Sequence, residues 1–132
     1  MATVEITDQC LVRDLVAMPD KLAQAIVEKM GILASNPEFG KPLTGELAGY
    51  RRLTHGQYRI LYRYHEQSDT VFVVLIGLRK GTEMDDVYSN ARRLLRAGKL
   101  QATVEQLRLA DQLNRKRLAD VQARARKAGG GG

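Results

Sequence analysis

The sequence predicts an α+β fold: two N-terminal helices packed on a twisted, mainly antiparallel sheet, then a third helix and a helical C-terminal extension. Three observations point there. Apolar residues recur at helical spacing between Leu11 and Leu33, at strand spacing between Leu53 and Leu78, and at helical spacing again after Asp86. At 132 residues the chain suits one domain with a single core.

Thr3 to Thr7 places Val4 and Ile6 on one side and reads as a short first strand. Asp8 can cap a helix reaching about Met18, with Leu11, Leu15 and Met18 on one face. Pro19 ends that helix and suits the start of the next, over residues 20–34, where Leu22, Ile26, Met30 and Leu33 form an apolar stripe. The two helices, joined at Pro19, are expected to cover one face of the sheet. Gly40, Pro42, Gly45 and Gly49 mark residues 37–49 as loop. Three strands follow at 50–54, 58–65 and 70–78, separated by a His55-Gly56-Gln57 turn and a polar turn at 66–69. Asp85 or Asp86 can cap the third helix, which runs through Leu95. The domain is therefore read as 1–97, followed by a basic helical extension over 98–128 and a flexible glycine tail over 129–132.

Charge is unevenly spread. Residues 1–100 hold 14 Lys/Arg against 12 Asp/Glu, whereas residues 101–132 hold 7 against 3. A basic surface favours an anionic partner such as nucleic acid or an acidic protein. Cys10 is the single cysteine, so no intramolecular disulfide can form, which fits a reducing compartment. The N-terminus lacks a basic segment followed by an apolar run, and the most apolar stretch, Val71 to Leu78, is strand-length. A cytoplasmic protein with no membrane contact is expected.

The densest group of candidate reactive side chains is Arg51, Arg52, Arg59, Arg63, Arg79, Lys80 and Tyr88. Side chains alternate along a strand, so Arg59, Leu61 and Arg63 share one face and Tyr58, Ile60, Tyr62 and Tyr64 the other. If the helices cover the tyrosine face, the arginines line the open one. Several guanidiniums on an open sheet suit phosphate, which they bind bidentately; the same pattern also fits solvated strand positions. His55 and His65 read as exposed turn histidines rather than catalysts, no zinc-ligand spacing occurs, and the glycines lack the setting of a nucleotide loop. Neither a metal nor a cofactor is expected.

From Gly40 to Leu95 the chain resembles the RelE/ParE toxin superfamily. The resemblance is carried by Pro42-Leu43-Thr44-Gly45-Glu46-Leu47, then Gly49-Tyr50-Arg51-Arg52-Leu53, then Gly56-Gln57-Tyr58-Arg59-Ile60-Leu61-Tyr62, the Gly77-Leu78-Arg79-Lys80 strand end, and Val87-Tyr88. It implies a toxin made beside a cognate antitoxin protein that neutralises it. RelE-like members cleave mRNA in the ribosomal A site with basic side chains and a tyrosine. ParE-like members share the fold and poison DNA gyrase. Carried over by position, Arg59, Arg79 and Tyr88 become the catalytic candidates, and Arg51 and Arg52 fall where RelE-like members often carry lysines; Arg63 and Lys80 join them as phosphate contacts. The favoured reading is a ribosome-dependent endoribonuclease that drives a ribose 2′-OH onto the adjacent phosphate. The alternatives are a gyrase inhibitor or an inactive toxin-fold binding domain. The extension's apolar stripe offers a surface for the chain's own sheet or for a second copy in a homodimer, and its Arg115-Lys116-Arg117 and Arg124-Ala125-Arg126-Lys127 groups read as a solvated helix face or as contacts for rRNA.

Overall fold

A computed structural model describes residues 1–80 and 86–100. The extension from residue 101 onward, with its expected helix, dimer surface and tail, lies outside the described residues. Among the described residues, five strands form one sheet in the order β1-β5-β4-β3-β2, with β1 Thr3–Ile6, β2 Lys41–Pro42, β3 Arg51–His55, β4 Tyr58–His65 and β5 Thr70–Leu78. All neighbours pair antiparallel except β1, which runs parallel to β5 from Thr3↔Thr70 to Ile6↔Val73.

The first helix starts one residue earlier than the sequence suggests. Thr7, not Asp8, is the cap: its hydroxyl accepts the Cys10 N–H at 3.3 Å, and Asp8 opens α1 (Asp8–Cys10), where its charge suits the helix dipole. A π-helical turn follows at Leu11–Leu15, with Val16 N–H bonded to Leu11 O. The wider turn rotates the apolar face, so Cys10 and Leu15 are buried while Leu11, expected inside, is 42% exposed. What the turn gains is contact with the sheet. Beyond Val73, β5 has no strand on its outer side among the described residues, and Arg13 and Asp14 take that place. Arg13 Nη2 donates to Val74 O at 3.0 Å, and Asp14 Oδ2 accepts Ile76 N–H at 3.0 Å. Edge groups that would otherwise want water are thereby satisfied.

Pro19 precedes α2 (Asp20–Met30), and a tight turn at Gly31 separates it from α3 (Ile32–Ser35), so the single helix expected over 20–34 is realised in two pieces. The apolar stripe survives the break. Ile26, Met30 and Leu33 join Cys10 and Leu15 against Leu53, Ile60, Tyr62, Val71, Val73 and Ile76 in one core cluster. Each fully buried aliphatic side chain there contributes about 1.5–3 kcal/mol.

β2 forms where the sequence predicts loop. Its position depends on Tyr62, a fully buried ring whose hydroxyl accepts Gly40 N–H at 2.8 Å just before the strand. A Cβ on Gly40 would lie 2.6 Å from Arg52 O and 2.7 Å from the Tyr62 hydroxyl, so only glycine allows this approach. β3 and β4 are joined by Gly56 and Gln57 alone, with His55 paired to Tyr58 and positive φ at Gly56. Between β4 and β5, the Tyr64 hydroxyl donates to Asp69 Oδ1 at 2.5 Å; that bond, reinforced by burial, pushes Tyr64 up to about 12.

Residues 70–76 of β5 are all buried because both sheet faces are covered. The helix α4 (Val87–Arg96) lies on the second face, its Val87 against Gly77 and its Val87 and Ala91 buried. The face expected to be open is therefore partly roofed.

Candidate active site

Hairpin register decides which arginines share a surface. Arg52 pairs with Leu61 and Thr54 with Arg59, so Arg52 and Arg59 occupy the α4 side of the sheet. Arg63 lies on the same side by alternation, exposed, with its guanidinium 5.6 Å from the centroid of the buried Tyr50 ring. Arg51 does not join them. It pairs with Tyr62 on the opposite side, and its Nη1 donates to Glu38 O and Gly40 O, where it holds β2 in place. Adjacent strand residues face opposite ways, so Arg51 and Arg52 cannot both line one surface.

Arg59 is on the expected side but turned inward. It is 8% exposed, and its Nη1 donates to Gly56 O and Tyr58 O, clasping the hairpin turn. Its Nε has no partner among the described residues. Arg79 and Lys80 follow the end of β5, both exposed, with Arg79 N–H bonded to Gln57 O at 2.9 Å. That bond keeps Arg79 beside the β3–β4 turn.

Tyr88 comes back over the sheet to meet Arg52. Arg52 Nη1 donates to the Tyr88 hydroxyl at 2.8 Å, with both residues half-buried. Contacts near both ends hold the helix that carries this tyrosine. Asp86 caps it, Val87 fits over Gly77, and at the far end Arg96 pairs with Glu46 at 2.5 Å. The hydrogen bond from Arg96 holds the Glu46 carboxyl below the usual carboxylate range. Sequence reasoning does not find the Gly77 approach or the Glu46–Arg96 pair. A glycine inside an otherwise apolar strand is the available signal for the first.

The arrangement offers cations, a phenol and no metal set: among the described residues, no group of three or more His, Cys, Asp or Glu side chains could hold an ion. A cavity of about 220 Å³ lies beyond the other flank of α4, between Arg13, Leu75, Gly77, Val87 and Leu94. Its lining includes neither Arg52 nor Tyr88.

A family model described as the ParE toxin of the type II toxin–antitoxin system parDE matches residues 5–82. The chain is a toxin of the RelE/ParE superfamily. Within that superfamily its resemblance is to RelE. Toxin RelG and toxin RelE of Mycobacterium tuberculosis are 39% and 36% identical to it, over 69 and 72 residues. Those matches cover 51% and 53% of this chain and 79% and 74% of the relatives. The toxin–antitoxin complex RelBE2 of the same organism is similar at 38% identity and a TM-score of 0.54, over 59% of this chain and 91% of that one. Isolated Escherichia coli RelE, 17% identical with a TM-score of 0.53 over 72% of this toxin and 99% of its own length, shares the fold.

Proposed function

We propose that this toxin is a ribosome-dependent endoribonuclease that cleaves mRNA, and that a cognate antitoxin neutralises it in the cytoplasm. The observation that carries the reading is the Arg52–Tyr88 hydrogen bond. In this reaction the Tyr88 hydroxyl relays a proton: it takes the proton of a ribose 2′-OH and passes its own to solvent as the ribose oxygen attacks the adjacent phosphorus. The P–O5′ bond breaks and the leaving oxygen takes a proton from solvent water, which gives a 2′,3′-cyclic phosphate and a 5′-hydroxyl. The Arg52 guanidinium, 2.8 Å from the phenol oxygen, would meet charge developing there and on the phosphate. Arg79, exposed beside the turn, serves as the second phosphate contact, with Arg63 and Lys80 on the approach. Arg59, tied to Gly56 and Tyr58, supplies charge and a rigid turn from beneath.

The similarity to proteins named RelE supports mRNA as the target. The test is a pair of assays on one preparation: primer extension on mRNA bound to programmed ribosomes, and supercoiling by DNA gyrase. Ribosome-dependent cuts with unaffected supercoiling support the proposal. Intact mRNA with inhibited gyrase replaces it with the gyrase reading, and neither effect leaves an inactive binding domain.

A further inference from the structure

Tyr88 is the second residue of α4, so its reach to Arg52 depends on where that helix begins. One buried side chain fixes the start. Asp86 is 4% exposed, and among the described residues its two carboxylate oxygens accept from two different backbone groups. Oδ2 accepts the Tyr88 N–H at 3.1 Å, which is the ordinary helix cap. Oδ1 accepts the Lys80 N–H at 2.5 Å, which is not part of any helix. Lys80 directly follows Arg79 at the end of β5, so a single carboxylate ties the backbone beside Arg79 to the backbone of Tyr88. The Asp86 carbonyl adds a third tie by accepting the Asn90 N–H at 2.9 Å.

We propose that Asp86 is a positioning residue of the reactive site: by bridging Lys80 and Tyr88 it sets the phenol of Tyr88 on Arg52 and fixes its offset from Arg79. The proposal rests on the reading of Tyr88 as the proton acceptor. A cap alone needs one acceptor oxygen, and serine or asparagine can supply it. The bridge needs two acceptors on one short, rigid side chain, which only aspartate provides at this length. Capping and bridging can therefore be separated by substitution.

The experiment compares the full-length toxin with its Asp86→Ser, Asp86→Asn and Arg52→Gln variants and the Asp86→Ser/Arg52→Gln double variant. Two readouts are taken: the 13Cζ resonance of Tyr88, assigned with Tyr88→Phe, and single-turnover cleavage of ribosome-bound mRNA. Asp86→Ser keeps the cap, so α4 amide signals should stay helical. The Tyr88 resonance should nevertheless move to its position in Arg52→Gln, and the double variant should move it no further. Cleavage by Asp86→Ser should slow roughly 10–100-fold at saturation with KM changed by less than about twofold, as expected when a reacting group is displaced while substrate binding is untouched. Asp86→Asn should fall between it and wild type. An unmoved Tyr88 resonance in Asp86→Ser and Asp86→Asn overturns the proposal, as does a moved resonance with undiminished cleavage. Wild-type protein that cleaves no mRNA overturns the reading of the site instead, because the resonance comparison still decides whether Asp86 holds Tyr88 on Arg52.

Discussion

Arg52 Nη1 donates to the Tyr88 hydroxyl across 2.8 Å, joining the second residue of β3 to the second residue of α4. Groups that act as one unit lose their function together, so removing either should cost nearly as much as removing both. Arg52→Gln and Tyr88→Phe should each slow mRNA cleavage by roughly 10²–10⁴-fold, the range for losing a proton-transfer group. The double variant should be no slower than the worse single one. Single-turnover rates on programmed ribosomes measure this, and multiplicative losses would mean that the pair does not work jointly.

Gly77 gives α4 its close seat. A Cβ there would stand 3.2 Å from Val87 Cγ2, so Gly77→Ala should lift the helix by a few tenths of an ångström. Stability should fall by about 1–3 kcal/mol, because one methyl is added at a packed surface. Cleavage should fall more than stability does, and Val87→Ala in the same chain should restore it by making room for the methyl. Urea melts alongside cleavage rates check the pair; a second substitution that restores nothing would place the damage elsewhere.

Cys10 is fully buried, and burial, with the Asp14 carboxylate adding to it, pushes its thiol well up. The thiolate is the reactive species, so native toxin should resist iodoacetamide at about pH 8. Alkylation should then track unfolding across a urea titration. Rapid labelling of native protein would show that the layer formed by α1 and the π-helical turn opens far more readily than its packing indicates.

Glu46 and Arg96 tie the far end of α4 to the turn at Gly45–Leu47. Because the Arg96 hydrogen bond lowers the folded carboxyl below its unfolded value, the stabilisation is present above the ordinary glutamate range. It is lost as pH falls through the lowered folded value. Hydrogen exchange at the α4 C-terminus, corrected for intrinsic rates, should be faster in Glu46→Gln than in wild type near neutral pH. The two proteins should converge in acid and, since the pair is exposed, at high salt. A gap that persists in acid would assign the effect to something other than this charge.

Much of this architecture is legible in the sequence. Alternation along 58–65 correctly sorts Arg59, Leu61 and Arg63 from Ile60 and Tyr62, and the stripe of Ile26, Met30 and Leu33 finds the core despite the turn at Gly31. What resists reading depends on contacts between distant segments. The π-helical turn carries no local signal, because its reason is the β5 edge that Arg13 and Asp14 must reach. β2 looks like loop because its Gly and Pro residues are loop chemistry, and only the buried Tyr62 hydroxyl explains its place. Reading His55 as part of the turn hides the pairing of Arg52 with Leu61, since a one-residue change in register reverses every side chain. The resemblance to RelE-like toxins points Tyr88 at Arg59 and Arg79. It meets Arg52, because Arg59 is drawn into the hairpin turn and the Asp86 bridge sets the helix start.

The chemistry of the cut ends tests the attack of the ribose 2′-hydroxyl. Ribosome-bound mRNA treated with wild-type toxin should yield 3′ fragments that accept label from polynucleotide kinase and ATP without prior phosphatase treatment, because they begin with a 5′-hydroxyl. The matching 5′ fragments should end in a 2′,3′-cyclic phosphate, and both should be formed far more slowly by Tyr88→Phe. Fragments bearing 5′-phosphates, or cleavage at the wild-type rate by Tyr88→Phe, would contradict the proposed attack of the 2′-hydroxyl assisted by Tyr88.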